Sequence, residues 1–217
     1  MSEQEIAMRL ASVREVIARE ATRAPVRVMC VTKRFGAPVV RAALRAGVTE
    51  CGENYADELV AKDAEMRDGK GDHPRWHFIG ALQRNKIARI APLCGGVHSV
   101  CREVEIGALA RHEFMGEVYV QVAPSEATSG RNGAAPRDVA QLVVLAQGLG
   151  LNVVGLMGMA LLGPADATRE YFRGVRALAD DLGLRGCSMG MSGDFEIALQ
   201  EGSTFIRLGT YLLGERA

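Results

Sequence analysis

"GCSMGMSGDFEIALQEGSTFIRLGT", residues 186–210, contains two short apolar runs, 186–189 and 204–208, on either side of a helix-like stretch at 194–201. Strands joined through a helix rather than a tight turn pair in parallel, because only a long crossover brings the chain back to the same end of a sheet. The same rhythm runs backwards through the sequence. Apolar or β-branched runs recur near 26–32, 48–51, 76–79, 97–100, 117–122 and 152–157, with helix-like stretches near 38–46, 54–67, 83–92, 102–113, 137–148 and 166–182. In the last of these, Tyr171, Phe172, Val175, Leu178 and Leu182 form one stripe, and Ile6, Leu10, Val13 and Ile17 mark an amphipathic helix ahead of the first strand. Eight strand candidates alternating with helices predict an α/β fold: one (β/α)8 barrel domain of the TIM type over residues 1–217, with an extra N-terminal helix. An open doubly wound sheet is the alternative, since several strands are short.

Composition narrows the function classes. The 217 residues carry 26 basic and 26 acidic side chains, interspersed, so no block of like charge offers itself to nucleic acid or an anionic membrane. The five cysteines show no metal-site spacing, and Cys30 and Cys187 fall in strand-like runs, as buried free thiols would. The opening "MSEQEIAMRL" lacks the basic-then-apolar profile of a signal peptide, and no apolar run approaches the roughly 20 residues of a membrane span. A reduced, cytoplasmic, soluble protein is expected.

In a barrel of this type the active face is built from strand carboxyl ends and the loops after them. Polar residues gather there. "VRVMCVTKRFG" (26–36) delivers Lys33 after the first strand, "GEN" (52–54) follows the second, "WHFIGALQRNK" (76–86) contains the third, and "MGMSGD" (189–194) and "RLGT" (207–210) follow the seventh and eighth. Lys33 alone reads most simply as the first solvated residue of a loop. Ser192, Gly209 and Thr210 suit a phosphate, because glycines admit an anion close to backbone N–H groups and hydroxyls add donors. The bland reading is capping by Ser192 or Asp194 and a tight turn at Gly209. His77 is either a residue of the barrel mouth or a satisfied core histidine. Asn54 either reaches a ligand or caps a helix. Residues 83–86 read as the solvated start of a helix, and Met157, Met159, Met189 and Met191 as apolar filler.

A lysine facing a phosphate cradle across one barrel mouth suggests pyridoxal 5′-phosphate (PLP), which has an aldehyde at one end and a phosphate at the other. An amine attacks an aldehyde in its neutral form, which desolvation or a neighbouring cation such as Arg34 favours.

From end to end the chain resembles the pyridoxal phosphate homeostasis proteins. The likeness is carried by "VTK" (31–33), "GENY" (52–55), "WHFIG" with "LQRNK" (76–86), "GLM" (155–157), "SMGMSGD" (188–194) and "GSTFIRLGT" (202–210). It implies the barrel of the alanine racemase N-terminal domain and PLP carried on Lys33 as a Schiff base. It also implies phosphate contacts at Ser192, Gly209 and Thr210, and Arg207 against the pyridine nitrogen. Asn54 and His77 complete the candidate cofactor contacts. Cys51, Ala81, Arg131 and "TYLLG" (210–214) depart from the usual family pattern, and Arg131 stands where many members have lysine.

Two functions compete: a PLP-dependent amino-acid racemase, and a carrier that buffers and delivers PLP to apo-enzymes. A racemase needs a second base opposite the lysine, which the resembling racemases take from a separate domain of a partner subunit. The last strand candidate ends near residue 208, which leaves no room for such a domain. Tyr55 and Tyr211 lie on helix starts and read as packing. An arginine beside the ring nitrogen keeps it unprotonated and a weak electron sink. The carrier, as a monomer with an open mouth, is the expectation.

Overall fold

The structure, a computed structural model, describes residues 2–67, 73–125 and 133–215. Arg131 and Lys70 lie outside the described residues. Strands β1 (Arg27–Val31), β2 (Glu50–Glu53), β3 (Arg75–Phe78), β4 (Cys94–Val100), β5 (Glu117–Val122), β6 (Asn152–Gly158), β7 (Gly186–Ser188) and β8 (Phe205–Leu208) form a closed parallel barrel in sequence order. Closure is made by β1 against β8, with Arg27 opposite Phe205 and Met29 opposite Arg207. That pairing decides between the barrel and the open sheet.

Helix α1 (Glu3–Glu20) precedes the barrel, and α2 (Ala37–Arg45), α3 (Ala56–Arg67), α4 (Arg84–Ile90), α5 (Glu103–Arg111), α6 (Pro136–Gly148), α7 (Ala165–Asp181), α8 (Phe195–Gln200) and α9 (Thr210–Leu213) follow β1 to β8 in turn. Ser2 and Glu5 cap α1 reciprocally, each satisfying a backbone N–H of the other. Its buried face is Ile6, Leu10, Val13 and Val16, laid over α2, α8 and α9 beside the closing seam. Along α7 the core side holds Phe172, Val175 and Ala179. Among the described residues, no helix is long and apolar enough to cross a membrane.

The main apolar core lies between the sheet and its helices. Cys30 and Cys187 belong to it as free thiols, each pushed up to about 12 by burial. The barrel interior is a separate cluster, in which Met29, Tyr119, Met157 and Phe205 pack around polar groups. Gly96 on β4 makes this interior: a Cβ there would stand 2.5 Å from His77 Nδ1, so only glycine leaves room for that ring.

Candidate functional site

The carboxyl ends of the strands open on a cavity of about 280 Å3, near the lower end of the size range of small-molecule sites. Its walls come from every region the sequence marked except His77. Lys33 and Asn54 stand on one side, Ser192, Gly193, Gly209 and Thr210 on the turns after β7 and β8, and Arg207 beside them. Val31, Ile79, Met157, Met159 and Met191 supply apolar walls, while Met189 is buried in the outer core. Three of the four filler methionines therefore line the cavity.

Lys33 is presented by a turn whose backbone is held from several sides. Phe35 N–H donates to Thr32 O at 3.0 Å, and Arg34 takes a φ of 64°, a left-handed conformation that non-glycine residues seldom adopt. Glu58 accepts from Arg34 N–H at 2.7 Å. Behind the turn Thr32 Oγ1 donates to Glu53 Oε1 at 2.6 Å, and Lys62 Nζ donates to Thr32 O, Glu53 Oε1 and Glu58 Oε2. Burial raises the Glu53 pKa, against the opposing pull of its Lys62 and Thr32 hydrogen bonds. These contacts fix where the Lys33 side chain starts. Its amine has no hydrogen-bond or ion-pair partner among the described residues. The Arg34 guanidinium lies over Tyr55, 3.4 Å from the phenol oxygen.

The two turns opposite are rich in unengaged donors. Ser192 Oγ accepts from Tyr211 N–H at 3.1 Å, which fastens the two turns together and leaves its hydroxyl proton to donate. Ser192 is therefore not the cap of α8. Asp194 precedes that helix, and its carboxylate accepts from Met191 N–H. None of the described residues accepts from the backbone N–H groups of Ser192, Gly193, Gly209 or Thr210. Four N–H donors and two hydroxyls thus border one end of the cavity, which suits an oxyanion of high charge.

Arg207 is almost wholly buried. Its Nη1 donates to Ser188 O at 2.5 Å and to Ser188 Oγ at 2.8 Å, and its Nη2 donates to Gly158 O at 2.9 Å. Burial lowers its pKa to about 10, so it remains a cation at neutral pH. Asn54 is fixed by the close approach of Gly80, where a Cβ would stand 2.0 Å from Asn54 O. Its buried Oδ1 has no hydrogen-bond partner among the described residues, so this oxygen caps no helix and remains for a donor.

His77 is the correction. It is fully buried, outside the cavity walls, with its ring between Glu50 and His98 in the barrel interior. The core-histidine reading is the right one. Residues 83–86 do begin a helix, α4, from which Lys86 joins Asp57 on the surface. The sequence reading passed over Thr32, Glu53 and Lys62, although "VTK" and "GEN" contain two of them. Tyr171, read from the sequence only as part of the apolar stripe of its helix, also has a polar role: its hydroxyl donates to Val122 O and accepts from Met159 N–H.

The family profile of the alanine racemase N-terminal domain matches residues 8–217. A curated pyridoxal phosphate homeostasis protein of Pseudomonas aeruginosa is 38% identical over 98% of this chain and 95% of its own. Among solved structures, PipY of Synechococcus elongatus, with PLP bound, is 33% identical, covers 96% of this chain and all of its own, and superposes with a TM-score of 0.84. Alanine racemase of Streptomyces coelicolor, 21% identical, shares the fold with a TM-score of 0.76; all of this chain corresponds to 59% of that one.

Proposed function

This chain belongs to the family of pyridoxal phosphate homeostasis proteins, built on the barrel of the alanine racemase N-terminal domain, and from that premise we propose that it binds PLP at its carboxyl face, holds it covalently on Lys33 and releases it to other proteins. One observation carries the reading. A single cavity brings together an unengaged lysine amine, a buried guanidinium and the free donors of two turns, in keeping with the aldehyde, ring nitrogen and phosphate of one molecule. The orphaned Oδ1 of Asn54 provides a further polar contact for the same ligand.

When bound, PLP supplies an aldehyde that condenses reversibly with an amine. Lys33 would provide that amine. Ser192, Gly193, Gly209 and Thr210 would take the phosphate through N–H and hydroxyl donors. Arg207, a cation at neutral pH, would keep a proton off the ring nitrogen, since two adjacent positive charges repel. The apolar walls at Val31, Ile79 and Met157 would exclude water from the ring. The form proposed to bind the ligand is the monomer.

The racemase reading rests on shared fold, which does not carry activity. A second base is what it needs, and no tyrosine lines the cavity among the described residues. The Tyr171 phenol is engaged twice and pushed up to about 12 by burial; Tyr119 is buried within the barrel and raised on the same ground. Tyr55 is occupied by Arg34, and the Tyr211 ring packs on Phe195.

Two assays test the proposal together. PLP-loaded protein should restore activity to an apo PLP-dependent enzyme. Alanine, serine, glutamate and lysine, as L and D forms in deuterated water, should show no Cα proton exchange by NMR. Exchange at enzymatic rates that disappears in Lys33→Ala would establish the racemase instead.

A further inference from the structure

A line of hydrogen bonds runs through the barrel from Arg207 at the cavity to Glu50 at the opposite end. Arg207 Nη1 lies 2.8 Å from Ser188 Oγ, Ser188 Oγ lies 2.9 Å from His98 Nδ1, and His98 Nε2 lies 3.0 Å from His77 Nδ1. His77 Nε2 makes a short contact with Glu50 Oε2. Glu50 is then held by Arg27 at 2.7 Å, and Arg27 by Glu117 at 2.7 Å, where the amino ends of β1, β2 and β5 close the barrel floor. Ser188, His77 and His98 are buried.

Both ends dictate the direction of this line. Arginine has no acceptor, so Ser188 Oγ accepts from Arg207 and has its own proton to give to His98 Nδ1. A neutral His98 then carries its proton on Nε2 and donates to His77 Nδ1, which leaves the His77 proton on Nε2, facing Glu50. From the other end, burial works to raise the Glu50 pKa, but the hydrogen bond from His77 and the Arg27 charge outweigh it and keep the carboxylate ionised. An ionised carboxylate only accepts, so His77 Nε2 must be protonated. The two derivations meet without leaving a donor or acceptor unused.

We propose that Ser188, His98 and His77 are positioning residues for Arg207, forming a one-way chain that fastens its guanidinium to the Glu50 carboxylate across the barrel. The positioning claim rests on the reading of the cavity as a PLP site; the direction of the chain does not. A proton entering the pair from the floor would place hydrogens on both nitrogens of His77 and turn His98 to donate towards Ser188. Ser188 Oγ would then face two donors, Arg207 and His98, and its own proton would lose its acceptor. The groups that set this balance are Glu50, Arg27 and Glu117 around His77, Arg207 and Tyr119 around His98, and Asp194 and Tyr171 around Arg207.

Nitrogen-15 NMR of the histidine rings in PLP-free protein at neutral pH tests the direction. Both His77 and His98 should appear as neutral rings protonated on Nε2. An Nδ1–H tautomer or an imidazolium at either position would overturn the chain. Positioning is tested by PLP titration and the visible band of the bound form in His98→Leu, His98→Gln and Ser188→Ala. We expect at least a tenfold loss of affinity and a displaced band in His98→Leu and Ser188→Ala, with partial recovery in His98→Gln, whose amide keeps an acceptor and a donor. Ser188→Ala removes only a hydroxyl and provides the test if His98→Leu fails to fold. Unchanged affinity and band in folded variants would refute positioning. If wild-type protein binds no PLP, the cavity reading fails and positioning with it, while the NMR result still decides the chain.

Discussion

The amine of Lys33 and the hydroxyl of Ser192 face different tasks, and single substitutions separate them. Ser192→Ala removes a donor to a charged group, worth about 1–3 kcal/mol, and also the acceptor that fastens Tyr211 N–H to the neighbouring turn. PLP affinity should fall accordingly in a titration, whereas pyridoxal, lacking the phosphate, should bind both proteins equally weakly. Equal losses for the two ligands would show that Ser192 serves the fold and not the phosphate. Lys33, Ser192, Arg207, Gly209 and Thr210 were legible because all sit at or just past a strand's carboxyl end, where the fold class alone puts them at the mouth. His77 was not, since alternation along a strand tells which face a side chain takes but not its depth. Depth follows from the stagger between strands, and here it places His77 level with Gly96 in the interior.

At the scale of elements, the pairing of β2 with α3 holds the Lys33 turn in place. Lys62 and Glu53 are both buried, and Lys62 also binds the carbonyl of Thr32. Removing one partner of a buried pair leaves the other charge uncompensated, at a cost of about 3–5 kcal/mol. Lys62→Met should therefore lower the urea midpoint with little change in slope. The double substitution Lys62→Met with Glu53→Leu should recover part of the loss. A midpoint unmoved by Lys62→Met would mean that the pair contributes nothing. Sequence reading missed this device because its members are split between a loop, a strand and a helix. Only the packing of α3 on the barrel brings them together.

The whole molecule should be sensitive to acid. Burial holds His77 below the ordinary histidine pKa of 6.5 against the pull of Glu50, and holds His98 well below it, helped by the charges of His77 and Arg207. The unfolded chain then takes up protons more readily than the folded one. Stability is fully present above about pH 6.5 and drains away as pH falls through the depressed folded values. Urea midpoints measured from pH 7.5 to 5 should fall, and the fall should be shallower in His98→Gln; a flat wild-type profile would contradict the assignment of neutral buried rings. Eight alternating units made the barrel legible, but the choice between closed and open sheets lay in the β1–β8 seam, a contact between residues far apart in the chain. Whether the barrel mouth holds PLP on Lys33 is decided by borohydride reduction of the PLP-loaded protein followed by peptide mass mapping. The pyridoxyl group should lie on the peptide containing Lys33 and be lost in Lys33→Ala; a label carried mainly by Lys62, Lys70 or Lys86 would rule out Lys33 as the attachment point.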